Sequence, residues 1–287
     1  MYYEQFLAKP NSKIILSDIP TIFDTDSIDK KEAKKLVMKN IKKMIELQGK
    51  LYADDKYSML IIFQAMDAAG KDGTIKHVMS GLNPQGTQVS SFKQPSAEEL
   101  DHSFLWRINK ALPERGRIGI FNRSHYEDVL VVRVHDYIQY QKIPKELISK
   151  NIWQRRFNEI NNFEKYLYDN GTVILKFFLH VSKQEQKKRF LARIDDASKN
   201  WKFSESDVKE REFWNDYQKC YQEAISATSK KHAPWFIIPA DQKWFMRLAV
   251  SDIITETMKG LDIDYPKLSK EHLDNLAKYK KILSEEA

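Results

Sequence analysis

Short runs of apolar residues alternate along this chain with longer amphipathic stretches. The runs are MLIIFQA (59–65), TQVSSF (87–92), RIGIFNR (117–123), TVILKFFLHV (172–181) and WFIIPA (235–240). A run that is apolar throughout, rather than at every second residue, suits a strand covered on both faces. The intervening stretches carry helical periodicity. Ala33, Val37, Ile41, Met44 and Leu51 form one apolar face of a helix that the pattern starts at Ser27. After Pro144, Trp153, Phe157, Ile160, Phe163 and Leu167 share another, and Asp169-Asn170-Gly171 stops it, glycine being suited to the left-handed turn past a helix end. Such alternation predicts an α/β fold with a parallel sheet of about five strands. No internal repeat and no linker rich in Pro, Gly or Ser divides it, so residues 1–287 are read as one domain with helical additions. Residues 1–28 form an N-terminal arm laid over the body.

The bulk numbers narrow the function. A chain of 287 residues with 42% hydrophobic content has enough apolar material for one large core. A formal net charge of +7 suggests an anionic partner: nucleic acid, anionic membrane or phosphorylated small molecules. No helix dense in arginine with interleaved aromatics supports nucleic acid. No apolar run approaches the ~20 residues of a membrane helix. The N-terminus lacks a signal-peptide core, and Cys220, the single cysteine, permits no intrachain disulfide. The charge can equally be ordinary solubility charge, and the expectation is a soluble cytoplasmic protein.

In open α/β sheets, ligands bind beyond the carboxyl ends of the strands. After the first strand comes FQAMDAAGKDGT (63–74), close to the phosphate-loop pattern G-x-x-x-x-G-K-[ST]. Gly70 and Lys71 stand where that pattern wants them; Ala65 replaces the first glycine, and Asp72 the metal-binding hydroxyl. Ala68, Ala69, Gly70, Lys71, Asp72, Gly73 and Thr74 would offer backbone N–H groups at a helix start, with Lys71 as a point charge. A carboxylate at Asp67, beside phosphate, makes sense with a hard cation such as Mg²⁺. The alternative is a tight strand-to-helix turn with Asp72 as its cap. Lys76 and Lys93 are further candidate phosphate contacts.

After the third strand comes Asn122-Arg123-Ser124-His125-Tyr126-Glu127-Asp128. Arg123 is placed to fork onto a phosphate, and Glu127 and Asp128 to hold metal or orient the nucleotide. Equally, Ser124 and Glu127 have the spacing of a capping box, and His125 reads as structural. After the fourth strand, Arg189 and Arg193 share a helix face, and Lys199 and Lys202 flank Trp201. Residues 182–207 are thus read as a lid closing over phosphates, or as a solvated helix and loop. There is no His/Cys metal spacing, no G-x-S-x-G elbow and no G-x-G-x-x-G.

Taken in order, FQAMDAAGKDGTIKHV, SFKQPSAEELDHSFLWR, GIFNRSHYEDVLVVRV, INNFEKYL, LKFFLHVSKQEQKKRFLAR, NWKFSESD and APWFIIPAD resemble the polyphosphate kinase 2 family, from about residue 30 to about residue 265. The resemblance implies a P-loop-kinase-like three-layer αβα fold with a helical lid. It implies phosphoryl transfer between inorganic polyphosphate and nucleotides, Mg²⁺ (with Mn²⁺ as an alternative ion), and a homo-oligomer, tetramer or dimer. Family members carry an aspartate at the position of Asp67 and end the loop in GKDG. The catalytic set is then Asp67, Lys71 and Arg123. Nucleotide contacts fall to Asn122, Arg123, Glu127, Asp128, Arg133, Arg189 and Arg193, and metal contacts to Asp67, Glu127 and Asp128. FNRSHYED resembles class III of the family, which phosphorylates nucleoside mono- and diphosphates. Class I, which prefers diphosphates, has aspartate where this chain has Asn122 and WY where it has His125-Tyr126. That points to AMP to ADP to ATP conversion, with GMP and GDP as further acceptors. The alternatives are an ADP-only polyphosphate kinase, an ATP-dependent nucleotide kinase, and a polyanion-binding module without turnover.

Overall fold

In this computed structural model, which describes residues 2–24 and 28–286, the chain opens with α1 (Tyr3–Phe6) and β1 (Leu7–Ala8), followed by the long α2 (Lys30–Asp54). The site-bearing half holds β2 (Ser58–Gln64), α3 (Lys71–Val78), β3 (Thr87–Ser91), α4 (Ala97–Leu100), α5 (Trp106–Lys110), β4 (Ile118–Asn122) and α6 (Val131–Val134). Then come α7 (Ile152–Asp169), β5 (Thr172–His180), α8 (Lys183–Ile194), α9 (Glu205–Lys209), α10 (Trp214–Thr228), β6 (Trp235–Pro239), α11 (Lys243–Lys259) and α12 (Lys270–Glu285).

Each run is a strand, and β2, with every residue buried, lies centrally in the order β1-β6-β5-β2-β4-β3, whereas β3, expected to be covered on both faces, is an edge strand with no buried residue. The pairs β2–β4, β2–β5, β3–β4 and β5–β6 are parallel. The sheet has six strands rather than about five. The additional one comes from the arm, where Leu7 and Ala8 pair antiparallel with Phe236 and Trp235. It covers the edge that β6 would otherwise leave open. Tyr2, Phe6 and Phe23 of the arm pack around Phe245, with Phe23 stacked on it at 3.9 Å.

The helix start read at Ser27 lies outside the described residues. α2 begins at Lys30, capped by Asp29, whose carboxylate accepts the Glu32 N–H at 2.7 Å. In α7, Phe157, Ile160 and Leu167 are buried, while Trp153 and Phe163 are only half-buried. Gly171 follows with φ of 88°, as its place past a helix end requires. Among the described residues, no helix is long and apolar enough to cross a membrane.

The register brings the site together. Phe63 pairs with Asn122, and Gln64 with Phe178, so the segments after β2, β4 and β5 leave the same edge of the sheet side by side.

Candidate active site

The loop after β2 is held from below. Gln186 Nε2 of α8 donates to the Asp67 carbonyl at 3.0 Å. Arg189 Nη1 donates to the carbonyls of Ala68 (3.1 Å) and Ala69 (2.6 Å). Consecutive carbonyls are thus taken by one helix. The first N–H groups of α3, at Gly70, Lys71, Asp72 and Gly73, have no intrahelical acceptor and offer themselves to an anion. Gly70 has φ of 111°, and a Cβ there would lie 3.2 Å from Met246 Cε. Ala68 also takes a left-handed φ, 59°. Ala65 does not, so the first position of the pattern needs no glycine here. Its carbonyl instead accepts the Lys71 ammonium at 2.8 Å. Burial pushes the Lys71 amine below its usual value; Arg123 adds to this, while Asp67, Glu127 and Asp72 oppose it.

Asp72 does not cap α3. The cap residue is Gly70, with no side-chain bond, and Asp72 accepts from Asn122 Nδ2 at 2.7 Å. Asn122 therefore faces the start of α3 and does not line the cavity described below. The Thr74 hydroxyl turns back to the Gly70 carbonyl at 3.0 Å, and Lys76 is exposed on α3.

At the end of β4, Arg123 has φ of 63°, a strained conformation for a long side chain. Its Nη2 reaches Asp67 Oδ1 at 3.0 Å, with the two side chains 41% and 32% exposed. Ser124 caps a single 3₁₀ turn, His125–Val129, by accepting the Tyr126 N–H at 3.3 Å. The capping box does not form. Glu127 Oε1 instead accepts from the Gln64 amide at 2.9 Å, with that amide turned to satisfy both neighbours. Burial pushes the Glu127 carboxyl above its usual value, against the opposing charges of Arg123 and Lys71. His125 is fully buried, as its structural reading expects. Asp128 is buried too, its Oδ1 shared by Arg156 Nη1 (3.2 Å) and Gln141 Nε2 (2.9 Å).

A cavity of about 730 Å³ opens on this edge. Asp67, Lys93, Arg123, Glu127 and Asp128 line it, together with Phe92, Arg107, Tyr137 and Tyr140. Its size is that of a small-molecule site. Lys71, Asp72 and Asn122 stand beside it on the loop side.

The remaining arginines sit elsewhere. Arg133 pairs with Glu223 of α10 at 2.6 Å and lies over the Trp153 ring, outside the cavity lining. Arg189 lies under the loop rather than in a lid: Nη2 goes to the carbonyls of Ala240 (2.6 Å) and Asp241 (3.1 Å), and Nε to Glu185 (2.8 Å). Arg193 reaches Asp207, a cavity-lining residue of α9, at 3.5 Å. Lys199 pairs with Asp196, and the Lys202 side chain lies outside the described residues. Gln186, Arg156, Lys243 and Arg247 are absent from the sequence reading. Lys243 and Arg247 open α11, and among the described residues Arg247 Nε is buried without a partner. Both follow the run WFIIPA, as the phosphate loop and Arg123 follow their own strands.

Among the described residues, no group of three or more His, Cys, Asp or Glu side chains gathers to hold a metal unaided. Asp67 and Glu127 offer hard oxygens to one cavity. Mg²⁺ asks a protein for little more, because it shares phosphate oxygens and keeps water.

A phosphate-loop sequence after the central strand, an arginine from the next strand and a cavity of small-molecule size beside them fit a phosphotransferase of P-loop-kinase type. The chain belongs to the family Polyphosphate kinase 2 (PPK2), whose model matches residues 27–266. An ADP-polyphosphate phosphotransferase of Rhodopseudomonas palustris is 51% identical over 266 residues, 92% of either chain. An AMP/ADP-polyphosphate phosphotransferase of Meiothermus ruber is 46% identical, covering 79% of this chain and 81% of its own. The crystal structure of Polyphosphate Kinase 2 from Arthrobacter aurescens, 38% identical, superposes with a TM-score of 0.84 over 95% of this chain and 98% of that one.

Proposed function

We propose that this enzyme transfers the terminal phosphate of inorganic polyphosphate to nucleoside mono- and diphosphates, carrying AMP through ADP to ATP and accepting guanine nucleotides as well. The observation that carries the reading is the Arg123–Asp67 contact at 3.0 Å, a cation and a carboxylate held together where the phosphate loop meets the cavity.

Phosphoryl transfer asks for positioning and charge neutralisation more than for covalent chemistry. A nucleotide phosphate is already ionised at neutral pH, so no general base is required. The acceptor lies in the cavity with its phosphate toward Arg123 and Lys93. The donor lies across the loop amides and Lys71, and its chain continues past Lys243 and Arg247. Arg123 and Lys71 neutralise charge on the phosphate in flight, and Arg193 closes from the lid side. Asp67 and Glu127 would hold Mg²⁺, which supplies charge neutralisation between donor and acceptor phosphates. Asp128, tied to Arg156, orients the loop rather than binding metal. A cytoplasmic homo-oligomer, dimer or tetramer, completes the reading.

The test is a pair of reactions containing the purified protein, Mg²⁺ and long-chain polyphosphate, one with AMP and one with ADP. ATP from ADP and ADP from AMP are the expected results. Product from ADP alone would refute the monophosphate assignment. Activity that needs ATP and ignores polyphosphate would refute the donor.

A further inference from the structure

Behind the loop that carries Arg123 and Glu127 lies a buried charged cluster with no part in the reading above. Lys176 of β5 and Glu164 of α7 are both fully buried and pair at 2.5 Å. The ammonium also donates to the Tyr126 hydroxyl at 3.0 Å and the Thr228 carbonyl at 2.8 Å, so its three protons are all placed. The Tyr126 hydroxyl lies 2.9 Å from Glu164 Oε1 and 3.0 Å from Thr228 Oγ1. Trp235 Nε1 donates to that same Thr228 hydroxyl at 2.9 Å. Strand β5 and helices α7 and α10 therefore converge on one hydroxyl of the site loop, and β6 joins them through Thr228.

Stability is a poor explanation for this arrangement. Desolvation of a buried ion pair offsets much of its attraction, and replacing both partners with apolar residues is often neutral or better. A phenylalanine would fill the Tyr126 volume as well. What the polar cluster does supply is a unique position for the ring, because its hydroxyl is satisfied in only one place. Arg123, three residues before Tyr126, holds a left-handed backbone conformation. Such strain persists only where the surroundings over-determine it. Glu127 follows Tyr126 directly.

We propose that the buried Lys176–Glu164 pair is a positioning device for phosphoryl transfer: it fixes Tyr126, and through Tyr126 keeps Arg123 and Glu127 facing the cavity. The inference rests on the function given above, and its test keeps the two apart.

The variants are Tyr126→Phe, which removes one hydroxyl, and the double variant Lys176→Met/Glu164→Leu, which removes both charges of the pair together. Ile160→Val is the control; it loosens the same α7 core without removing any polar atom of the cluster. Rates are measured with ADP and polyphosphate well below each variant's thermal midpoint, beside the wild type. Tyr126→Phe and the double variant should fold and lose about tenfold in kcat, the kinetic equivalent of one misplaced hydrogen bond, with both KM values within about twofold. Ile160→Val should keep its kcat. If the double variant does not fold, Tyr126→Phe decides alone. Full kcat in Tyr126→Phe would overturn the inference. So would an equal loss in Ile160→Val. A wild type that makes no ATP from polyphosphate would overturn the parent function, and this role with it.

Discussion

Arg189 Nη1 donates to the carbonyl oxygen of Ala69 at 2.6 Å, and every other N–H of that guanidinium is directed at a carbonyl or at Glu185. This arginine shapes the phosphate loop without facing its ligand. Lysine brings the same charge but cannot fork. Arg189→Lys should therefore lower kcat/KM for polyphosphate by at least about tenfold, the cost of losing several loop contacts at once. Arg193→Ala should chiefly raise the nucleotide KM. Steady-state kinetics with each substrate varied checks both. Wild-type behaviour of Arg189→Lys would remove the clamp from the account.

Asn122 donates to Asp72 at 2.7 Å, a bond that a carboxylate at position 122 would turn into a like-charge contact. Asn122→Asp, which brings in the residue that the diphosphate-preferring class I carries there, should lower the AMP-to-ADP ratio of kcat/KM by about tenfold, or ~1.4 kcal/mol. A ratio that does not move would leave Asn122 without a role in acceptor choice.

Two shifted groups should set the pH profile. Burial holds Lys71 below the ordinary lysine value of 10.5, and its cation is the active form, so the alkaline limb of kcat should fall below 10.5. Burial raises Glu127 above 4.5, and its carboxylate is the active form, so the acid limb should lie above 4.5. The bell is therefore narrower than two unperturbed groups would give. Lys71→Arg should abolish the alkaline limb, since guanidinium does not titrate in this range. A limb unchanged in that variant would assign it to another group.

Much of the architecture was legible because buried strands write themselves as continuous apolar runs, as β2, β4, β5 and β6 do; TQVSSF gives a strand too, β3, but an edge strand with no buried residue, as its Thr, Gln and Ser side chains allow. The strand at Leu7–Ala8 was not legible: two residues at an edge carry no period. The site loops were found by looking past the strand ends, since Asp67 and Arg123 come from neighbouring strands. Spacing placed Arg189 and Arg193 on one face of a helix, but not what that face meets; the first turned under the loop and the second toward Asp207. Arg156 escaped because its partner Asp128 is contributed by a distant segment of chain, and a lone arginine within an amphipathic helix reads as solvated surface.

The most direct test of the account is the rate of ATP formation from ADP and polyphosphate by Asp67→Asn and Lys71→Ala, beside the wild type and with the fold of each variant verified. Both remove a preorganised charge from the phosphate loop. Each should cost at least about 100-fold in kcat, the scale for losing such a group. Near-wild-type turnover in either variant would contradict the account and move the reacting phosphate away from this loop.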